Sequence, residues 1–173
     1  VISKGDCIIK LPDANKTMDF TVAGISENSR IYDGLTVTDG APLLGVNEVY
    51  VWANSPNAND IRIGSILNAS YSVEFLDVEP RVHLLTLNFT VAGFVELDDK
   101  ASLIASGHYD YYSSPFGASE EDVFETNLLI ADWNKTFAGV LDAVYSRAHA
   151  HAPDSSIDVH ILVFLDREAL IGP

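Results

Sequence analysis

At 173 residues with 47 % hydrophobic side chains, the chain is long enough to bury a sizeable core and lies far from the composition of a disordered segment. Twenty-five acids against ten bases give a net charge of −15, which argues against a nucleic-acid partner and against docking on an anionic leaflet, since both need a cationic face. One cysteine, Cys7, excludes an internal disulfide, and within Asp6-Cys7-Ile8-Ile9 it reads as a small core hydrophobe.

No apolar stretch approaches the ~20 residues that span a bilayer, and no basic-then-apolar leader is visible. The first residue is Val1, so the chain reads as an excised or processed piece. Residues 6–10 and 18–25 are predicted strands, joined by the turn-rich Pro12-Asp13-Ala14-Asn15. Met18, Phe20 and Val22 alternate with polar residues, the period of a half-buried strand. The second strand ends in Phe-Thr-Val-Ala-Gly (20–24), which recurs at 89–93. Each copy closes a stretch opened by a glycine-marked turn, Lys4-Gly5-Asp6 or Ile63-Gly64-Ser65, and a glutamate follows each, Glu27 or Glu96. The copies imply one β unit used twice, with Gly24 and Gly93 stopping the strands where the backbone turns.

Residues 26–46 are loop-like, 47–52 a strand, and 54–59 a turn or one short helical turn. Residues 66–75 and 83–96 flank Asp77-Val78-Glu79-Pro80 as a long hairpin. Residues 97–122 form a loop carrying Tyr109, Tyr111, Tyr112 and Phe116. Thr126–Ala131 is an apolar strand. Asp132 caps a helix whose Trp133, Phe137, Val140, Leu141 and Val144 share one face. A strand over 157–165 then completes a βαβ pattern. The expected fold is α+β, a mixed two-lobe domain. A mostly β lobe covers about 1–96, the loop 97–122, and a βαβ-containing lobe 123–173, all within one domain.

Several constellations carry possible chemistry. His149, His151 and Asp154 are the best metal candidates, although at a helix end His149 and His151 diverge and read rather as a solvated terminus. The tyrosines with Phe116 fit a platform for a sugar, a peptide or a partner protein, or rings folded back on their own domain. Asp98-Asp99 and Glu120-Glu121-Asp122 lack the spacing of a calcium loop and read as solvated acids. No nucleophile–base motif and no phosphate-cradling glycine loop is present, so no catalytic residue, metal or cofactor is expected. N-x-Ser/Thr sequons stand at Asn15, Asn68, Asn88 and Asn134, which leans towards an outward-facing protein, although Asn88 lies inside a predicted strand.

Asp39-Gly40-Ala41-Pro42, Asn47-Glu48-Val49-Tyr50-Val51, Ile61-Arg62-Ile63-Gly64-Ser65 and Asn88 to Gly93 together resemble the extracytoplasmic core domain of MacB-like and FtsX-like ABC transporter permeases. In that family a small-Pro turn precedes an acidic-marked strand, a short helix, a Gly-Asp turn and a Phe-x-Val-x-Gly strand. Ser65 stands where the family has Asp. The tail Phe164 to Pro173 resembles the exit from this domain towards the membrane. The resemblance implies a mixed α and β domain with Glu48, Gly24, Gly64 and Gly93 as structural motif residues. It places the domain on the extracytoplasmic side of the cell membrane, without catalytic residues of its own. The implied partners are the membrane-embedded remainder of the permease, an ABC ATPase subunit and a second permease copy. One apolar run before residue 1 and three after residue 173 would flank it. The competing readings are a free extracellular binding module that uses the tyrosine loop, and a metal-assisted hydrolase that uses His149, His151 and Asp154.

Overall fold

Alternation builds the first hairpin. In the computed structural model, which describes residues 2–10, 16–26, 29, 32–75, 81–98, 126–140, 142, 153–155 and 157–160, β1 (Ile2–Lys10) buries Cys7 and Ile9 and exposes Ile8 and Lys10. It pairs antiparallel with β2 (Thr17–Ile25), Cys7 opposite Phe20. β3 (Leu35–Gly40) and β4 (Glu48–Trp52) follow. β5 (Ile66–Phe75) and β6 (Arg81–Leu97) form the long second hairpin, Leu67 opposite Phe89. β7 (Leu128–Asp132) leads into a wide π-turn, Trp133–Phe137, which continues as α-helix over 138–140. The short strands β8 (Pro153–Ser155) and β9 (Ile157–His160) come last.

Six strands close into a barrel in the order β1-β2-β7-β4-β6-β5 and back to β1. Closure removes the free edges those six strands would otherwise carry. Outside the ring, β3 lies on β6, β8 on β5 and β9 on β1. Every barrel strand sends side chains into one interior cluster, with Phe20, Val22, Phe89 and Val91 among them. A second cluster forms where Ile25, Tyr50, Trp52, Val95 and Ile130 pack with Leu44, Leu35 and Val37. β4 and β7 therefore bury both faces, which is why they read as nearly unbroken apolar runs.

The barrel has an internal two-fold likeness. Phe20 and Phe89 hold the same place in their hairpins, opposite Cys7 and Leu67. Val22 pairs in parallel with Leu129 of β7, as Val91 does with Val49 of β4. The Thr21 N–H donates to Asn127 O and the Thr90 N–H to Asn47 O, both at 2.9 Å. The two halves meet where Ile9 faces Ala69 and where Tyr50 faces Ile130. The halves are interleaved: β4 follows β2 but pairs with β6, and β7 follows β6 but pairs with β2.

This architecture overturns the expected α+β two-lobe fold. Most of the described residues are in strands, and only one short helix beyond single 3-10 turns is present among them. The βαβ unit is absent because β7 sits between β2 and β4, while β9 joins β1. The segment expected to found a second lobe is a stave of the barrel. Its helix does not cross over a sheet; Phe137 and Val140 join the barrel interior. The local expectation holds, since the Asp132 carboxylate accepts the Lys135 N–H at 2.7 Å and caps the helix start. Trp133 stacks on Phe137 with ring centroids 6.0 Å apart. The expected positions Leu141 and Val144 lie outside the described residues. The chain also has a counterpart for β7 in its first half, β4, so the repeat extends beyond the two pentapeptides.

Candidate functional site

The residues that carry the family likeness converge on β6. Glu48 of β4 and Ile66 of β5 both pair with Thr90, from opposite sides. The Gly64 N–H donates to Val91 O at 2.8 Å and the Val91 N–H to Ser65 O at 2.9 Å. Gly64 has φ +83, and a Cβ there would meet nothing within 4 Å, so its requirement is torsional. Gly5, the expected counterpart, lies within β1 opposite Val22 and forms no turn. Glu48 is structural as well. Its Oε2 accepts the Gly45 N–H at 2.6 Å and closes the turn in which Asn47 takes φ 57. Asn47 then donates its own N–H to Thr136 Oγ1 at 2.9 Å, tying this turn to the helix. Thr136 is buried, and nothing in its sequence signalled that role.

Gly24 and Gly93 do not end their strands, contrary to the expectation. β2 runs on to Ile25 and β6 to Leu97. Both are glycine because another group comes too close. A Cβ on Gly24 would lie 2.5 Å from Cγ of Phe137. One on Gly93 would lie 2.2 Å from Asp39 O, where Gly40 of β3 crosses it.

Tyr50 sits on the line where the halves meet and donates its hydroxyl to Ala41 O at 2.8 Å. Burial, then Tyr32 and Glu48, push its pKa up to about 12. The phenol therefore stays protonated and is a strut rather than a proton carrier. The unfolded chain ionises this group near pH 10 and the folded chain near 12. The stability it contributes is complete below pH 10 and is lost as pH rises to 12. Tyr50→Phe should cost about 1 kcal/mol in denaturant melts at neutral pH, the value of one hydrogen bond. The variant should also show a smaller loss of stability between pH 10 and 12 than the parent. An equal alkaline loss in both would show that other groups carry it.

Asp33, Gly34, Thr36, Glu96, Leu97 and Asp98 line an open, acidic hollow of about 300 Å³ beside β3. The Asp98 N–H donates to Gly34 O at 3.0 Å, and a Cβ on Gly34 would collide with the Asp98 carboxylate. The hollow is a consequence of β3 docking on β6, and among the described residues no three His, Cys, Asp or Glu are grouped to hold a metal ion. Of the expected sites, Tyr109, Tyr111, Tyr112, Phe116, His149 and His151 lie outside the described residues, as do Asp99 and Glu120 to Asp122. Asp154 is placed on β8 opposite Glu74. Among the described residues no helix is long and apolar enough to cross a membrane. No family model and no curated protein matches the chain.

Proposed function

We propose that the chain is the extracytoplasmic domain of an ABC transporter permease subunit of the FtsX/MacB-like type. On this reading it is a non-catalytic body outside the cell membrane that couples cytoplasmic ATP hydrolysis to the handling of a substrate or partner. One observation carries the reading: motif segments spread over 39–93 join through one strand, with Gly40, Glu48, Gly64 and Ser65 all engaging β6 within Thr90–Gly93. The motif is therefore a connected framework, as a mechanical element requires. The reading rests on these motifs and not on the family's mixed fold, since similar function does not need to follow similar architecture. Interleaving adds to it. In that role a displacement of one hairpin would reach the other half across the β4–β7 and β1–β5 pairings.

The partners are the membrane-embedded remainder of the permease, an ABC ATPase subunit and a second permease copy. The full-length protein, solubilised from its own membranes, should carry one apolar run of ~20 residues before residue 1 and three after residue 173. It should co-purify with an ATPase subunit. A full-length sequence without those runs, or a pull-down without an ATPase, removes the reading.

A further inference from the structure

Asn68 and Asn88 stand directly opposite one another on β5 and β6, and both are exposed. Each opens a sequon, Asn68-Ala69-Ser70 and Asn88-Phe89-Thr90. In a strand, positions i and i+2 share a face, so each asparagine and its hydroxyl partner lie on the wet side while Ala69 and Phe89 point into the barrel. Asparagine is depleted from strands, so two facing each other in the hairpin need a reason. The internal repeat does not supply one. The equivalent pair in the first hairpin is Ile8 opposite Asp19. The inward residues repeat and the asparagines do not.

The surroundings give a second, independent sign. Ile66, two residues before Asn68 on the same strand, is 56 % exposed. Ile8 pairs with Ser70 and is 45 % exposed. Two large apolar side chains thus flank the asparagines in the open, a surface that a sugar chain covers with its C–H faces. The sequon at Asn134 differs in burial: its Thr136 is buried and accepts the Asn47 N–H, whereas the Ser70 hydroxyl is half-exposed, 3.4 Å from Thr86 Oγ1.

We propose that Asn68 and Asn88 form one composite acceptor for an N-linked glycan, occupied at one asparagine or the other and never at both. The donor class is an oligosaccharide on a polyprenyl (pyro)phosphate carrier, presented by a membrane transferase. The side-chain amide nitrogen forms the bond to sugar C1, the C1–O bond to the carrier phosphate breaks, the phosphate leaves with its electron pair, and the amide proton passes to the transferase. Exclusion follows from spacing. Side chains directly opposite across an antiparallel pair have Cβ atoms about 5 Å apart. A first sugar ring attached to one asparagine occupies the approach to the other.

The inference rests on the extracytoplasmic reading for its native setting, but its test does not. The 173-residue chain is secreted behind a cleavable leader from a host with an N-glycosylation pathway, and glycopeptides spanning 66–75 and 86–97 are mapped by mass spectrometry. Asn68→Gln should keep a glycan at Asn88, and Asn88→Gln one at Asn68. The double variant should lose one glycan mass, not two, relative to the parent. Molecules bearing both glycans, or a hairpin left bare in every variant, overturn the proposal. Because the host supplies the compartment, that failure leaves the permease reading standing. An absent ATPase in the pull-down would remove that reading and leave the acceptor intact.

Discussion

Phe20→Ala and Phe89→Ala should each destabilise the barrel by about 3–5 kcal/mol, the usual cost of removing a buried phenyl ring, and the two losses should agree to within about 1 kcal/mol. Both rings are nearly fully buried in the same interior cluster. Both stand in the same register, Phe20 opposite Cys7 and Phe89 opposite Leu67. Each immediately precedes the stretch that pairs in parallel with a third strand, β7 for Phe20 and β4 for Phe89. Equal packing should give equal cost. At this chain length a loss of 4 kcal/mol lowers the melting temperature by about 8–16 °C. Thermal melts followed by Trp52 and Trp133 fluorescence measure it. If Phe20→Ala cost less than half of Phe89→Ala, the two halves would not share one core, and the internal likeness would be confined to the backbone. The comparison also bears on the proposed role, because a body that passes force between halves has no independently melting half. A single cooperative transition in both variants is expected.

The strands were largely legible in the sequence and their partners were not. Alternation over Met18, Phe20 and Val22 reported a buried face, and the Asp132 cap and the Phe137–Val140 face were read at the right positions. Periodicity says which side of an element is buried, never against what. Strand, helix and strand over 126–165 therefore suggested a parallel βαβ unit. The structure instead inserts β7 between β2 and β4, a pairing between residues more than a hundred positions apart in the chain. The pentapeptide repeat was visible because its inward residues are identical. The equivalence of β4 and β7 was hidden, because Val49-Tyr50-Val51 and Leu129-Ile130-Ala131 share only their apolar character. Asn47 and Asn127, which receive matching N–H groups from Thr90 and Thr21, were the one signal that would have exposed it. Of the candidate site, Glu48 was singled out as a motif residue, but its bond to the Gly45 N–H depends on a turn with φ 57 at Asn47, which no spacing rule announces. Gly24 and Gly93 do mark a backbone constraint, but it is a close approach and not the strand-ending turn that the sequence implies. An αL turn and a close approach both select glycine, and a sequence does not separate them.

That distinction sets the second large effect. Gly93→Ala should cost about 3 kcal/mol, at the upper end for overpacking, and Gly24→Ala less. The obstacles differ in kind. At Gly93 the new methyl meets main chain: Asp39 O at 2.2 Å, then Gly40 Cα at 3.1 Å. Gly40 itself has φ +101, and a Cβ there would meet Ala92 O at 2.2 Å, so the two main chains already touch and β3 has no rotamer to turn. It must lift off β6. Lifting it breaks the Ala41 N–H bond to Ala92 O and uncovers Leu35 and Val37 over the second cluster. At Gly24 the methyl meets the root of a side chain, Phe137 Cγ at 2.5 Å and Cβ at 2.6 Å, and removing the ring removes the closer of the two contacts. Gly24→Ala should therefore be relieved in part by Phe137→Ala, the double variant losing less than the sum of the two single losses by about 1 kcal/mol or more. Gly93→Ala has no such partner, and combining it with Phe137→Ala should be additive. Chemical denaturation of the five proteins (parent, both glycine variants and both doubles) together with Phe137→Ala alone completes the two cycles. Rescue of Gly93→Ala, or strict additivity at Gly24, would show that the close approaches are not what selects these glycines. The expected pattern places the stiffest joint of the domain at the β3–β6 crossing, inside the stretch on which the proposed permease reading rests, and the softer one at the helix that closes the barrel.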